Sequence, residues 1–282
     1  MKVPALAVMV AAALFLLPAD ARQDVKVFFN SHAPLDDEIM KCFSMAVGRA
    51  KEKGEGTIDV AIFSFTSRRL ADTLLRIGRD FPDVKIRILA NLSMHESEYS
   101  AVPYMDGVAS GEKERYRELA ERRGAYIEDE EKRKTAVEKA YKKMVSQFRG
   151  RPIPNIEVRY HYYPGWSWKD EEGGPAYDHF HQKSHIWHHK AVIINRDLLA
   201  SGSYNWSSSA EIKNLENLMV FTGPEDRHIV NDFLAEFEAM WNNPELCKSG
   251  KECRRLRDER YKEILEDRKA KEGREAKKTK RR

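Results

Sequence analysis

Cysteine is scarce in this chain: Cys42, Cys247 and Cys253 are all that 282 residues contain. That excludes a disulfide-built scaffold, and no pair has zinc-finger spacing. One bridge stays open to an exported chain, between Cys247 and Cys253, which flank the loop sequence KSGKE. Cys42 lies in an apolar helical stretch and reads as a buried small hydrophobe. Long apolar runs are also missing after Leu17, so nothing beyond it can span a bilayer. Strong charge of one sign is absent overall, with a net of +4. What excess there is sits at the end. Residues 251–282 hold 15 Lys/Arg against 8 Asp/Glu, which leaves the rest slightly acidic. The globule is therefore no general polyanion-binding body, and polyanion attraction belongs to the tail, if it is more than a solvated terminus.

The first residues point to export. Lys2 precedes an unbroken apolar run from Val3 to Leu17, and Ala19 and Ala21 form a small-residue cleavage signal. The run is short for a spanning helix. We expect residues 1–21 to be a cleavable signal peptide and the mature chain to be secreted or periplasmic, without stable membrane insertion. An uncleaved anchor is the alternative.

Along the remainder, strand and helix signals alternate. Residues 24–30, 57–65 and 84–91 read as strands. Helical periodicity fills Pro34 to Lys53 and Arg68 to Arg79, the second capped by Thr66 or Ser67. Strand–helix–strand units of this length imply right-handed crossovers in a parallel or mixed sheet. Glu112 to Met144 is dense in Glu, Lys and Arg and predicts one or two exposed helices, either a lid or dimer arm or a solvated excursion. Residues 156–170 predict a strand running into an aromatic loop that holds Tyr160, Tyr162, Tyr163, Trp166 and Trp168. These can stack on bases, seat at a lipid interface or simply pack. Residues 188–195 and 198–203 predict two strands joined by a tight turn, 217–223 another strand, and Pro224 to Trp241 an apolar-faced helix. The organisation expected is a catalytic domain over 22–250, with a charged insertion at about 96–150, then a charged helix and basic tail over 251–282.

One stretch carries chemistry. From His188 to Glu216 the spacing H-x-K-x4-N-x6-G-S-x-N is filled by His188, Lys190, Asn195, Gly202, Ser203 and Asn205. On a strand, His188 and Lys190 share a face. A neutral imidazole can attack phosphorus and form a phosphohistidine, and an ammonium beside it offsets charge on the non-bridging oxygens. Gly202 lets backbone approach a phosphate, Ser203 and Asn205 offer donors to it, and Glu216 can accept from the other ring nitrogen of His188. His161, His179, His181, His185, His188 and His189 crowd one region, which makes metal binding the rival reading. Their spacing fits no H-E-x-x-H helix, so neither a metal nor another cofactor is expected.

This segment resembles the motif of the phospholipase D superfamily, and residues 25–95 and 155–245 are similar to the rest of that domain. The resemblance implies an α/β phospholipase D-like fold: a central mixed, mainly parallel sheet flanked by helices, with the charged helical insertion outside it. It implies His188 as nucleophile, Lys190 and Asn205 as phosphate-binding residues supported by Ser203, and Glu216 as the acid orienting the histidine. The family uses two such histidines and no metal. A chain with one motif is then expected to form a homodimer sharing one active site. The family includes compact secreted bacterial endonucleases with a single motif, which this chain resembles more than the larger two-motif lipid enzymes. Nucleic acid is therefore the favoured substrate, with phospholipid, or binding without turnover, as alternatives. Asn195 stands where the family usually has Asp, keeping the hydrogen bonding and losing the charge.

Overall fold

The computed structural model describes residues 25–97, 99–111, 113–125, 127–148, 151–162 and 186–256, with a few isolated positions after them. The expected leader at 1–21, the loop containing Tyr163, Trp166, Trp168, His179, His181 and His185, and most of the basic tail lie outside the described residues.

The chain opens with β1 (Val25–Phe29), α1 (Leu35–Lys53), β2 (Gly56–Ile62), α2 (Arg68–Asp80) and β3 (Val84–Asn91). Four helices follow: α3 (Ser93–Glu96), α4 (Val102–Ser110), α5 (Lys113–Gly124) and α6 (Glu130–Phe148). Then come β4 (Ile156–His161), β5 (Lys190–Ile194), β6 (Leu198–Gly202), α7 (Ser208–Ile212), β7 (Asn217–Phe221), α8 (Arg227–Trp241) and β8 (Cys247–Ser249). The local signals explain most of these bounds. Ser67 caps α2 by accepting from Leu70 N–H. Gly54, at φ 74°, ends α1 in the left-handed conformation that a residue without Cβ adopts freely.

The strands form one sheet in the order β1-β7-β6-β5-β2-β3-β4-β8. The fold is α/β and mixed as expected, but the sheet is not mainly parallel. Only β2–β3 and β3–β4 pair parallel, and every other neighbouring pair is antiparallel. The reason is connection length. Parallel pairing needs a long crossover, which α2 and the α3–α6 segment supply, whereas the tight β5–β6 turn forces antiparallel neighbours. β1 travels to the far edge to pair with β7 instead of lying beside β2. The short edge strand β8 was not foreseen at all.

Alternation along the strands splits the core in two. Ile58, Val60, Ile62, Ile86, Ile88, Val192 and Ile194 face α1, α2 and α4. Ala61, Leu89, Ala191, Ile193 and Leu199 face α8 through Val230, Leu234, Phe237 and Trp241. The charged insertion is less detached than its composition suggests. α4 is buried through Val102, Tyr104, Met105 and Val108, and Tyr116, Leu119, Ala120 and Met144 join the same core. Its outer surface carries the charge pairs Arg117–Glu138 and Lys134–Glu130. All three cysteines are buried and none is in a disulfide, so the Cys247–Cys253 bridge is not formed.

On the α8 side, one polar cluster ties helix to sheet. Arg87 Nε and Nη2 donate to both oxygens of Asp59 at 2.7 and 2.9 Å, and its Nη2 and Nη1 donate to Glu238 at 2.8 and 3.1 Å. The guanidinium also lies over Phe237 and Trp241. The Asp59 side chain is 2% exposed, and burial pushes its carboxyl up, while the hydrogen bond from Arg87 holds Glu238 below the usual carboxylate range. Removing the cation strands a buried carboxylate. Arg87→Met is therefore expected to cost on the order of 3 kcal/mol in urea unfolding. A loss of only a few tenths would show that the cluster contributes little.

Candidate active site

The pattern of alternation carries past the start of β5. Trp187, Ala191 and Ile193 pack on the α8 side, and His189 meets Phe233 there. His188 and Lys190 consequently share the opposite face, as their spacing predicts. Lys190 Nζ lies 3.4 Å from His188 Nδ1 and donates to the His188 carbonyl at 3.1 Å. Phe63, just past the end of β2, packs its ring 4.3 Å from the His188 ring centroid and 5.3 Å from Lys190 Nζ. Nothing in the sequence singled out Phe63, which reads there as one more apolar strand residue.

This packing sets the electrostatics. His188 is open to solvent along its edge, but Phe63 covers one face. Burial first, and the Lys190 charge second, hold its imidazolium below the ordinary 6.5. Burial also draws Lys190 down from 10.5, against the opposing pull of Glu216. The His188 shift favours a neutral imidazole at neutral pH.

The second half of the motif departs from expectation in detail. A Cβ on Gly202 would sit 2.4 Å from the Asn217 carbonyl oxygen and 2.6 Å from its Oδ1. Close packing on β7 thus requires glycine here whatever its part in binding a phosphate. Ser203 is also spoken for. Its hydroxyl donates to Glu216 Oε2 at 2.5 Å and accepts from Asn217 N–H at 3.1 Å, while its own N–H donates to Asn217 Oδ1 at 3.2 Å. Glu216 takes a further bond from Asn214 Nδ2 at 2.9 Å. With both carboxylate oxygens engaged, Glu216 makes no hydrogen bond to His188 among the described residues. It reaches the pair through its charge beside Lys190 instead.

Asn30 holds this side of the site in place. Its Oδ1 accepts from Glu216 N–H at 3.0 Å, and its Nδ2 donates to the carbonyls of Ala210 and Asn214 at 2.8 and 2.7 Å. The sequence gives no sign of this role, because it depends on β1 reaching β7. Asn205 lies between two buried anchors. Tyr204 OH donates to Asp36 Oδ1 at 2.8 Å, and Trp206 packs on Phe43 and Phe65. The Asn205 Oδ1 is buried, with no hydrogen-bond partner among the described residues.

Asn195 does not join the others. It lies five residues beyond Lys190, about 16 Å along the strand, in a turn where Asn195 and Arg196 both have positive φ (56° and 61°). Asparagine tolerates that conformation. Its Oδ1 accepts from Thr57 N–H at 3.1 Å and its Nδ2 donates to the Met45 carbonyl at 3.2 Å. Asp197 pairs with Arg49 at 3.0 Å, on the α1 side and away from the motif. Among the described residues, no group of three or more His, Cys, Asp or Glu side chains is placed to hold a metal ion.

Two outcomes follow from these placements. Asn195→Asp keeps the acceptor and loses the donor, so unfolding free energy should fall by about 1 kcal/mol with the His188 titration unmoved. A changed His188 midpoint would put Asn195 back in the site. By NMR, His188 should titrate below 6.5. Lys190→Met should raise that midpoint without restoring the ordinary value, because Phe63 still covers the ring. A midpoint at or above 6.5 in the native chain would contradict the packing.

Comparison with known proteins agrees with the motif. Residues 155–241 match the family described as cardiolipin synthase, PLD-like domain. Mitochondrial cardiolipin hydrolase of Canis lupus familiaris is 41% identical over 54 residues, covering 19% of this chain and 20% of that protein. The Chlamydomonas reinhardtii protein of the same name is 36% identical over 55 residues, covering 20% of this chain and 23% of its own length. The chain thus spans about a fifth of the length of the curated relatives it matches. Among solved structures, NucT from Helicobacter pylori is 16% identical with a TM-score of 0.45, covering 81% of this chain and 99% of that one. Nuc from Salmonella typhimurium, a phospholipase D family member, is 16% identical with a TM-score of 0.40, covering 78% and 95%. The segment that holds His188 and Lys190 is thus similar to phospholipase D-like proteins over residues 155–241.

Proposed function

We propose that this protein is a metal-independent phosphodiesterase that cleaves nucleic acid, with His188 as nucleophile. The observation that carries the reading is the His188–Lys190 pair, held side by side over Phe63 at the end of the sheet, with His188 exposed. As placed, Nδ1 of His188 faces an ammonium, which leaves the ring proton on Nε2. A phosphodiester oxygen that takes the Lys190 ammonium removes that donor. The proton then settles on Nδ1 and the Nε2 lone pair is free. Attack forms an N–P bond and breaks one P–O bond, and the departing oxygen takes a proton. Water then attacks the phosphohistidine, releases the phosphomonoester and regenerates the imidazole. Lys190 and the Asn205 amide offset charge on the non-bridging oxygens. Glu216 and Ser203 brace Lys190 and the motif loop, and do not react.

The proton for the leaving oxygen comes from a second copy of the chain. One motif supplies one histidine, so two copies share one site in a homodimer. The apolar run from Val3 to Leu17, followed by Ala19 and Ala21, supports a reading in which that dimer acts outside the cytoplasm. Nucleic acid is favoured by the net positive segment at 251–282. A phospholipid reading has its own support. Ile212 and Leu215, beside Glu216, are 79% and 88% exposed, and a lip of that kind suits a lipid surface. The curated relatives also carry the name cardiolipin hydrolase.

Incubation in EDTA with supercoiled plasmid, with single-stranded RNA and with cardiolipin vesicles separates these readings. Nicking of plasmid or cleavage of RNA without lipid turnover is the expected result. Lipid turnover alone would reassign the substrate, and activity that is lost in chelator and restored by zinc would overturn the mechanism. His188→Ala should lower turnover by roughly 10³-fold or more.

A further inference from the structure

The ladder alone does not hold His188. β5 begins at Lys190, its partner β2 ends at Ile62, and a single further bond extends the pairing, from Phe63 N–H to the His189 carbonyl at 2.7 Å. A strand end with one such bond frays readily. Trp187 stops it. Its backbone N–H donates to Asn91 Oδ1 at 3.1 Å, and its indole Nε1–H donates to the Leu89 carbonyl at 3.2 Å. Both acceptors lie at the end of β3, which is separated from β5 by β2. Trp187 therefore reaches across the top of β2 and ties the leading end of β5 to a strand it does not pair with. Its ring is 4% exposed, stacked on His161, the last residue of β4, at 5.9 Å and 30°. It meets His189 edge-on at 4.4 Å, and His189 meets Phe233 of α8 at 6.2 Å. Asn91 is itself fixed: it is 1% exposed, and its Nδ2 donates to Ser93 Oγ at 2.7 Å.

We propose that Trp187 is the positioning residue for His188: pinned on the α8 side of the sheet by its two bonds to β3, it fixes the direction in which the next residue projects on the other side. The inference rests on the reading of His188 as nucleophile given above. Its physical basis is the strict alternation of an extended backbone. Once the neighbour on one face is locked in a packed core, the direction of the intervening side chain is set. Small errors in that direction cost rate steeply, because a displacement of about 1 Å at a reacting group can lower turnover about a hundredfold. The His188-His189 doublet then has a division of labour. The first histidine projects to solvent, and the second packs with Trp187 as part of the pin.

Trp187→Phe keeps a ring in the core and removes the indole donor, and Asn91→Leu removes the acceptor of the backbone bond. Each is expected to lower kcat about tenfold or more with KM within about twofold. In each, the NMR midpoint of His188 should rise towards 6.5 as the ring leaves Phe63 and Lys190. Val230→Ala opens the same α8-side core without touching the pin, and should leave both readouts unchanged. Native kcat and an unmoved His188 midpoint in Trp187→Phe would overturn the proposal. So would equal changes in Val230→Ala, which would reduce the effect to general loosening. If the native chain cleaves no phosphodiester, the functional reading fails, and the His188 midpoint in Trp187→Phe still decides the pin.

Discussion

The backbone alternation of β5 and its three-residue leader is the constraint on which the site depends. It sends His188 and Lys190 to one side of the sheet and Trp187, His189, Ala191 and Ile193 to the other. Because β5 is central, paired with β2 on one side and β6 on the other, that alternation cannot slip by one residue without exposing two cores. The His188–Lys190 pair is therefore displayed at a fixed angle by the same packing that stabilises the fold. Phe63 completes the arrangement from β2. It covers the histidine ring and lies against the ammonium, so that burial, more than any hydrogen bond, sets the state of the pair.

The second half of the motif works mainly as structure. Gly202, Ser203 and Asn217 lock β6 to β7, Glu216 is held by Ser203 and Asn214, and Asn30 stitches this loop to β1. Asn195 serves the opposite end of the same strand, where it closes a turn with positive φ at two successive residues. A pattern that reads in one dimension as a single catalytic string is, in three, a reactive pair, a brace and a distant turn. The change from the family's usual Asp to Asn at this position is accounted for by the turn, where an amide both accepts from Thr57 and donates to Met45.

What was legible in the sequence was what local periodicity encodes. β3, the β5–β6 hairpin, the Ser67 cap of α2 and the shared face of His188 and Lys190 all follow from patterns only a few residues long. What was hidden depends on partners distant in the chain. β1 pairs with β7 across about 190 residues, β8 is too short to show a pattern, and α4 is buried although it borders a highly charged stretch. The roles of Phe63, Asn30 and Trp187 belong to the same class, since each is defined by a contact that no local window contains. The orientation expected of Glu216 failed for a related reason: a carboxylate bonds to the nearest donors, and the fold places Ser203 and Asn214 there first.

The central claim is that His188 becomes covalently bonded to phosphorus. It is tested most directly by denaturing the protein in alkali during turnover, under conditions that preserve phosphohistidine, and mapping modified peptides by mass spectrometry. The account predicts a phosphoryl-bearing adduct on the peptide containing His188, lost in His188→Ala and formed in the presence of EDTA. Turnover with no adduct at His188, or with the adduct on another residue, would contradict it.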